Sequence, residues 1–251
     1  MGKLDKLNIN WEKSVKKYHE YALKYPLYKQ TGKKLVELAK LNKEDVIIEL
    51  GCGTGITTKM IAEKVKKVIA IDWSKKAIEI AKKYVNKENV NFVCGNIFDI
   101  KGISSEKVLA NICVSIITSK ESKKIKNFLK PNGILYFNVP GQYMKGYEGG
   151  TLIKEIKYLL EGYGYFLSEK EHDKKYTKSA IEKKLDLKLT KICELKIKRT
   201  KEDITEFYKI PIFRYNLFGN IPSRVINKVL KEITIDSFYS TIIYFKGKLK
   251  N

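Results

Sequence analysis

Residues that ligate metals or cross-link a chain are scarce here. The only histidines are His19 and His172, and the four cysteines, Cys52, Cys94, Cys113 and Cys193, are scattered without a Cys-x-x-Cys pair. Spacing therefore assembles neither a zinc site nor a disulfide framework, and reduced, mostly buried thiols with no metal are expected. Long apolar runs are missing too. None approaches the ~20 residues of a membrane span, and the polar segment Met1 to Trp11 lacks a signal peptide's apolar stretch, so a soluble cytoplasmic protein is expected. No repeat, Pro/Ser-rich linker or low-complexity tract divides the sequence, and residues 1–251 read as a single domain with additions, long enough to bury its own core.

Arginine is the third scarcity. Only Arg199, Arg214 and Arg224 occur, although Lys and Arg together number 50 against 28 acids, giving a net charge of +22. That charge invites a nucleic-acid partner, since clustered cations neutralise phosphates and release counterions. Bidentate and stacking contacts nevertheless favour arginine over lysine. The lysines also recur along almost every expected helix, as in Lys13–Lys17, Lys64–Lys67, Lys123–Lys126 and Lys183–Lys188. Solvated faces are the simpler reading, and nucleic acid the second.

Apolar spacing outlines the elements. Trp11–Leu23 and Tyr28–Leu41 repeat apolar residues at helical intervals on either side of Tyr25-Pro26, so residues 1–41 are expected as lid helices. From Asp45 the pattern alternates between strand and helix. Val46–Leu50 reads as a strand, Ile56–Val65 as a helix, Val68–Asp72 as a strand and Ala77–Tyr84 as a helix. Strands at Val90–Cys94 and Lys107–Ile112, a helix at Ser119–Leu129, the turn Pro131-Asn132-Gly133 and a strand at Ile134–Val139 complete a core over 42–139. Such alternation predicts a Rossmann-like α/β fold, a mainly parallel sheet with helices on both faces. After Pro140 the regularity lapses. A helix is expected between Gly146 and Gly164, another at Thr177–Leu185 with Thr177 as N-cap, a strand at Leu187–Ile197, an aromatic stretch at Phe207–Phe218, a helix at Val225–Ile233 and a strand at Phe238–Phe245. Residues 140–176 and 200–234 read as cap insertions, helical and aromatic, and 235–251 as the final strand. The cap would cover the carboxyl edge of the sheet, where open α/β sheets bind ligands.

The first strand runs into Glu49-Leu50-Gly51-Cys52-Gly53-Thr54-Gly55. Gly51 and Gly53 permit a sharp turn and close approach to a ligand, Gly55 lets helix and strand pack, and the helix N-terminus adds a positive dipole end. Three further positions narrow an adenosine-type ligand. Asp72 ends the second strand, where a carboxylate accepts from ribose hydroxyls; Trp73 offers a flat face to adenine; Asn96, with Ile97 packing beside it, ends the third strand near the adenine edge.

On these residues Val46 to Gly55 resembles motif I of the class I S-adenosylmethionine-dependent methyltransferases, small-molecule type, and Val68 to Ser74 the segment that follows it. The resemblance runs from about Tyr28 to Val139. It implies a seven-stranded sheet with a reversed final strand, S-adenosyl-L-methionine as cofactor and S-adenosyl-L-homocysteine as product. It implies that Glu49 and the Gly51, Cys52, Gly53, Thr54 and Gly55 backbone hold the methionine portion, Asp72 the ribose, and Trp73 and Ile97 the adenine. Many relatives have Asp where this chain has Asn96, and an amide can still accept from the adenine amino group. Asn111, at the end of the fourth strand, completes the expected cofactor set.

The acceptor is expected beside Asn111, Cys113 and Ser115, which alternate along Asn111-Ile112-Cys113-Val114-Ser115. Tyr18, Tyr28, Tyr208 and Arg214 are the other candidates for its pocket; equally, the aromatic residues of the lid and of 207–218 glue the cap to the sheet. For a catalytic base only His19 and His172 stand out, and neither has a visible partner to orient it. Three functions follow: methyl transfer to a small-molecule oxygen, nitrogen or carbon nucleophile; methyl transfer to an RNA adenine; and cofactor binding without catalysis. The RNA reading rests on Lys107–Ile112, which resembles the fourth strand of the rRNA adenine dimethylases. That strand continues there with proline and an aromatic on which the base stacks, whereas this chain continues Cys113-Val114. Asn220-Ile221-Pro222 recurs later, beyond the fifth strand and followed by Ser223.

Overall fold

A computed structural model describes residues 3–147, 151–167 and 175–250. Two helices lead, α1 (Lys3–Lys24) and α2 (Pro26–Leu38). Pro26 sits in the first turn of α2, where its missing N–H would have had no partner, and Tyr25 before it is extended. The core follows as β1 (Val46–Leu50), α3 (Ile56–Ala62), β2 (Lys67–Asp72), α4 (Lys75–Val85), β3 (Val90–Cys94), β4 (Ser105–Ala110), α5 (Ser115–Thr118) and β5 (Leu129–Pro140). Beyond it come α6 (Thr151–Gly162), α7 (Lys178–Leu185), β6 (Leu187–Thr200), α8 (Lys201–Phe207), α9 (Pro211–Phe218), α10 (Ser223–Glu232) and β7 (Ser237–Leu249).

The strands form a seven-stranded sheet in the order β3-β2-β1-β4-β5-β7-β6. β1 to β5 are parallel and β7 runs antiparallel between β5 and β6. The expected α/β architecture and its reversed final strand are both present. Because β1 is flanked by β2 on one side and β4 on the other, the winding reverses at its carboxyl end, which opens a crevice there. β1 is buried from Ile47 to Leu50, as a parallel strand covered on both faces requires. One face packs on α1, α2 and α3 through Leu35, Val36, Ile56 and Ile61, the other on α5 and α7 through Ile116, Ile117, Ile181 and Leu185. A separate apolar cluster joins α6, α8, α9 and α10 around Ile156, Ile204, Phe218, Val229 and Leu230.

Local chemistry sets the helix ends. Ser74 accepts from the Ala77 amide to start α4, and Asn86 stops it in the left-handed region at φ 43°. Thr177 caps α7 as the sequence suggests, accepting from the Ala180 amide. The expected helix at Ser119–Leu129 is replaced by the short α5 and a 3-10 helix at Ser122–Phe128. Ser119 is extended, and the buried anchors Ile125 and Phe128 stand three residues apart, the period of a 3-10 rather than an α-helix. Within the aromatic stretch, Phe207 ends α8 and Pro211 starts α9.

Candidate functional site

The turn after β1 is held by its neighbours before any ligand arrives. The amides of Gly51 and Cys52 both donate to the Ile71 carbonyl, at 2.8 and 3.0 Å. Gly51 and Gly55 have φ of 69° and 85°; a Cβ on Gly51 would stand 2.5 Å from the Cys113 sulfur, and one on Gly55 2.7 Å from Val85. Both positions therefore need glycine for conformation and for space. Gly53, at φ 54°, needs glycine for conformation alone, because its Cβ position meets only the Tyr18 side chain, 3.7 Å away.

Two buried carboxylates flank this turn. Glu49, 1% exposed, accepts from the Thr58 hydroxyl at 2.6 Å. Asp72, at the end of β2, accepts from the Gly53 amide at 2.8 Å and the Ser74 amide at 3.0 Å. Each oxygen of Asp72 keeps a lone pair for a further donor. Burial pushes the Glu49 carboxyl up to about 8, the Thr58 hydrogen bond opposes this, and the Asp72 charge adds to it. Burial likewise raises Asp72, against the amide bonds that favour its ionised form. Among the described residues no Lys or Arg pairs with either acid. In a chain of +22 charge, two uncompensated carboxylates around a glycine turn suit a cationic ligand with hydroxyl donors.

Helix α1 lies across the turn. Tyr18 is buried against Gly53, with its phenol held well above its ordinary value by burial and by Tyr28, Asp72 and Glu49. His19 Nδ1 stands 2.9 Å from the Thr54 hydroxyl, and burial lowers the histidine's pKa, favouring neutral imidazole. The structure thus brings His19 to the turn, with Thr54 to orient it, where spacing alone gave no partner. His172 lies outside the described residues. Trp73 is 40% exposed beside Asp72, and Ile97 is buried against the sheet core. Asn96 spends its side chain on its own turn, donating to Asp99 at 3.0 Å and accepting from the Phe98 amide at 3.2 Å.

At the end of β4, Asn111 donates to the Thr57 hydroxyl at 3.0 Å, and Cys113 and Ser115 are 3.3 Å apart. Tyr28 is buried with its ring 4.8 Å from Tyr18, so these two tyrosines pack α1 against α2. The other pocket candidates stand elsewhere. Tyr208 packs on Phe218 inside the cap cluster. Arg214 is spent within the cap, donating to the Ser223 carbonyl and to Asn227, both at 3.0 Å, which pins α9 to α10. Sequence reasoning missed Asn138, a 1% exposed amide near the end of β5 that joins this site. Its signal was a lone polar residue in the apolar run Phe137-Asn138-Val139. It also missed the buried group in which Arg199 donates to Asp203 at 2.6 Å and to the Tyr21 hydroxyl at 2.6 Å, fastening α8 to α1.

Residues 47–133 match a family of domains described as methyltransferase domains. The chain is similar to a malonyl-[acyl-carrier protein] O-methyltransferase of Priestia megaterium, 32% identical over 148 residues, 53% of each chain. It is also similar to a probable ribosomal RNA small subunit methyltransferase A of Pyrococcus furiosus, 32% identical over 103 residues, 41% of this chain and 38% of that one. It thus spans about half the length, or less, of these curated relatives. Its fold resembles that of the YcgJ protein from Bacillus subtilis, with a TM-score of 0.60 at 15% identity, over 88% of this chain and 99% of that one. No described helix is long and apolar enough to cross a membrane, and the described residues hold no metal-binding cluster.

Proposed function

We propose that residues 47–133, which match a family of methyltransferase domains, bind S-adenosylmethionine on the Rossmann-like sheet and that the chain transfers the cofactor's methyl group to a small-molecule acceptor. The pair Glu49 and Asp72 carries the reading. Both are buried and lack a cationic neighbour among the described residues, and they flank a turn in which Gly51 and Gly55 have no room for side chains. When bound, the cofactor supplies a methyl group on a sulfonium, which an in-line nucleophile displaces.

In this reading Glu49 and the backbone of Gly51, Cys52, Gly53, Thr54 and Gly55 receive the cationic methionine portion, and Asp72 receives the ribose hydroxyls. Trp73 and Ile97 receive adenine, while Asn96 is left to shape the turn beneath it. Tyr18 and His19 close α1 over the loop and exclude water, which methyl transfer needs as much as alignment. The acceptor enters beside Asn111, Cys113, Ser115 and Tyr28. Neutral His19, held by Thr54, is the candidate to take a proton if the nucleophile must lose one.

A small acceptor is favoured by the lid and by Cys113-Val114, which removes the aromatic that a stacked base would use. The malonyl-[acyl-carrier protein] relative also matches more of the chain than the RNA relative does, 53% against 41%. Methyl transfer to RNA is the second reading, supported by the ribosomal RNA relative and by Asn111-Ile112. Calorimetry with S-adenosylmethionine tests the common part. The parent binds, and Gly53→Arg and Asp72→Ala bind far more weakly; equal affinity in all three sinks the reading. Release of S-adenosylhomocysteine on adding a metabolite extract, and none on adding ribosomal RNA, supports the small acceptor, and the reverse replaces it with RNA.

A further inference from the structure

The backbone at the end of β4 holds a conformation its sequence resists. Ile112 has φ 51°, the left-handed region, which a β-branched side chain disfavours more than any other kind. Such a residue persists only where its surroundings over-determine it. Here the Ile112 side chain packs against the core, and its amide is held by one side chain. The Ile112 amide donates to Asn138 Oδ1 at 2.6 Å, and the Asn138 amide nitrogen donates to Asn111 Oδ1 at 2.7 Å. Asn138 stands opposite Tyr244 in the β5–β7 ladder, and the Tyr244 hydroxyl donates to the Thr31 carbonyl at 3.1 Å. Asn138 is thus anchored deep in the sheet while gripping the loop.

That grip has two consequences beside the cofactor turn. Reversal at Ile112 throws Cys113 onto Gly51, where only a glycine leaves space for its sulfur. The Val114 amide then returns to the Ile112 carbonyl at 3.0 Å, and the Ile116 amide to Cys113 at 3.2 Å, which closes the loop into α5. Asn111, held on one side by Asn138, reaches the Thr57 hydroxyl at 3.0 Å on the helix that follows the glycine turn. One hydrogen-bonded chain therefore runs from β5 through β4 to α3, under the place where the acceptor enters.

We propose that Asn138 is a positioning residue for methyl transfer: it holds Ile112 in the left-handed conformation and so sets the shape of the acceptor loop relative to the cofactor turn. The inference rests on the methyltransferase reading for its catalytic consequence but not for its conformational one. With Asn138→Ala the loop relaxes, Cys113 leaves Gly51, and its alkylation by N-ethylmaleimide, followed site by site through peptide mass spectrometry, speeds up. Methyl transfer from tritiated S-adenosylmethionine into the metabolite extract falls by about 100-fold, the scale of a misplacement of roughly 1 Å. S-adenosylhomocysteine affinity by calorimetry stays within about threefold, less than 1 kcal/mol.

The decisive variant is Asn138→Ala with Ile112→Gly. Glycine adopts a positive φ without a clamp, so slow Cys113 alkylation and most of the transfer return; a merely structural Asn138 would not be rescued by a change that adds no contact. Asn138→Asp is the second single variant, because its carboxylate still accepts from the Ile112 amide and keeps Cys113 slow to alkylate. The assignment is overturned if alkylation is unchanged in a folded Asn138→Ala, if glycine at 112 restores neither readout, or if Asn138→Asp frees Cys113. The alkylation arm needs no cofactor, so a chain that binds no S-adenosylhomocysteine would sink the methyltransferase reading while the clamp is still measured.

Discussion

Glu49 illustrates how one side chain can link fold to ligand. Its folded value, about 8, lies above the ordinary 4.5, so between those pH values the folded chain keeps a proton that the unfolded chain has released. The sign follows directly. This contribution to stability is complete below about pH 4.5 and is lost as pH rises through about 8. A cationic ligand prefers the ionised carboxylate, so S-adenosylmethionine affinity should rise with pH over the same window, by up to about tenfold per unit, with release of a proton. Calorimetry in two buffers of different ionisation enthalpy checks this, and Glu49→Gln should bind weakly with a flattened pH profile. Binding without proton release at pH 6.5 would contradict it. Gly55→Ala belongs to the same scale. At φ 85° and 2.7 Å from Val85 the added methyl is both strained and crowded, so a loss of about 1–3 kcal/mol in urea unfolding is expected.

Among the elements, α1 is fixed less by its own sequence than by what it touches. Tyr21 donates to Asp203, Arg199 binds both, and Phe207 lies under the guanidinium, its ring centroid 4.9 Å from it. Elsewhere on α1, Ser14 Oγ accepts from the Ile212 amide at 2.9 Å, and Tyr25, between α1 and α2, donates to Glu202 at 2.8 Å. The leading helices and the 200–218 segment therefore share one seam, to which the aromatic residues of 207–218 contribute packing, with Phe207 stacked on Phe213 at 4.2 Å. Asp203→Ala leaves Arg199 buried without its partner and should cost about 3–5 kcal/mol, while Tyr21→Phe should cost about 1 kcal/mol. Urea denaturation measures both, and equal costs would show that the ion pair is not the dominant tie. None of this seam could be read from spacing, because Tyr21 and Arg199 are distant in sequence and the aromatic stretch carries no period. What could be read was local. β-branched runs gave β1 and β2, the glycine turn gave the crevice, and Thr177 gave the start of α7, since each is decided within a few residues. The site divided the same way. Glu49, Gly51 and Asp72 lie where strand ends predict, whereas His19, Asn138 and the spent guanidinium of Arg214 depend on partners that only the fold supplies.

At the scale of the whole molecule the question is what the +22 charge does. Many of its acids are consumed by near neighbours in sequence, as in Lys34–Glu37, Glu121–Lys124, Lys191–Glu194 and Glu206–Lys209, which leaves most lysines to water. Exposed pairs of this kind contribute little to stability, so the excess charge acts outward, on polyanions in solution. Single-stranded RNA should then bind at low salt by counterion release alone. A contact neutralising about six phosphates loses roughly 300-fold in affinity between about 50 and about 200 mM salt. Filter binding with small-subunit ribosomal RNA and with an unrelated RNA of equal length should therefore give parallel curves that both vanish near physiological salt, with no tritium incorporated from S-adenosylmethionine. Base-specific recognition predicts the opposite, because stacking and edge contacts survive salt that strips phosphate contacts. A salt-resistant preference for the ribosomal RNA would mean that the site reads a base despite Cys113-Val114, and the acceptor would have to be reassigned from a small molecule to RNA.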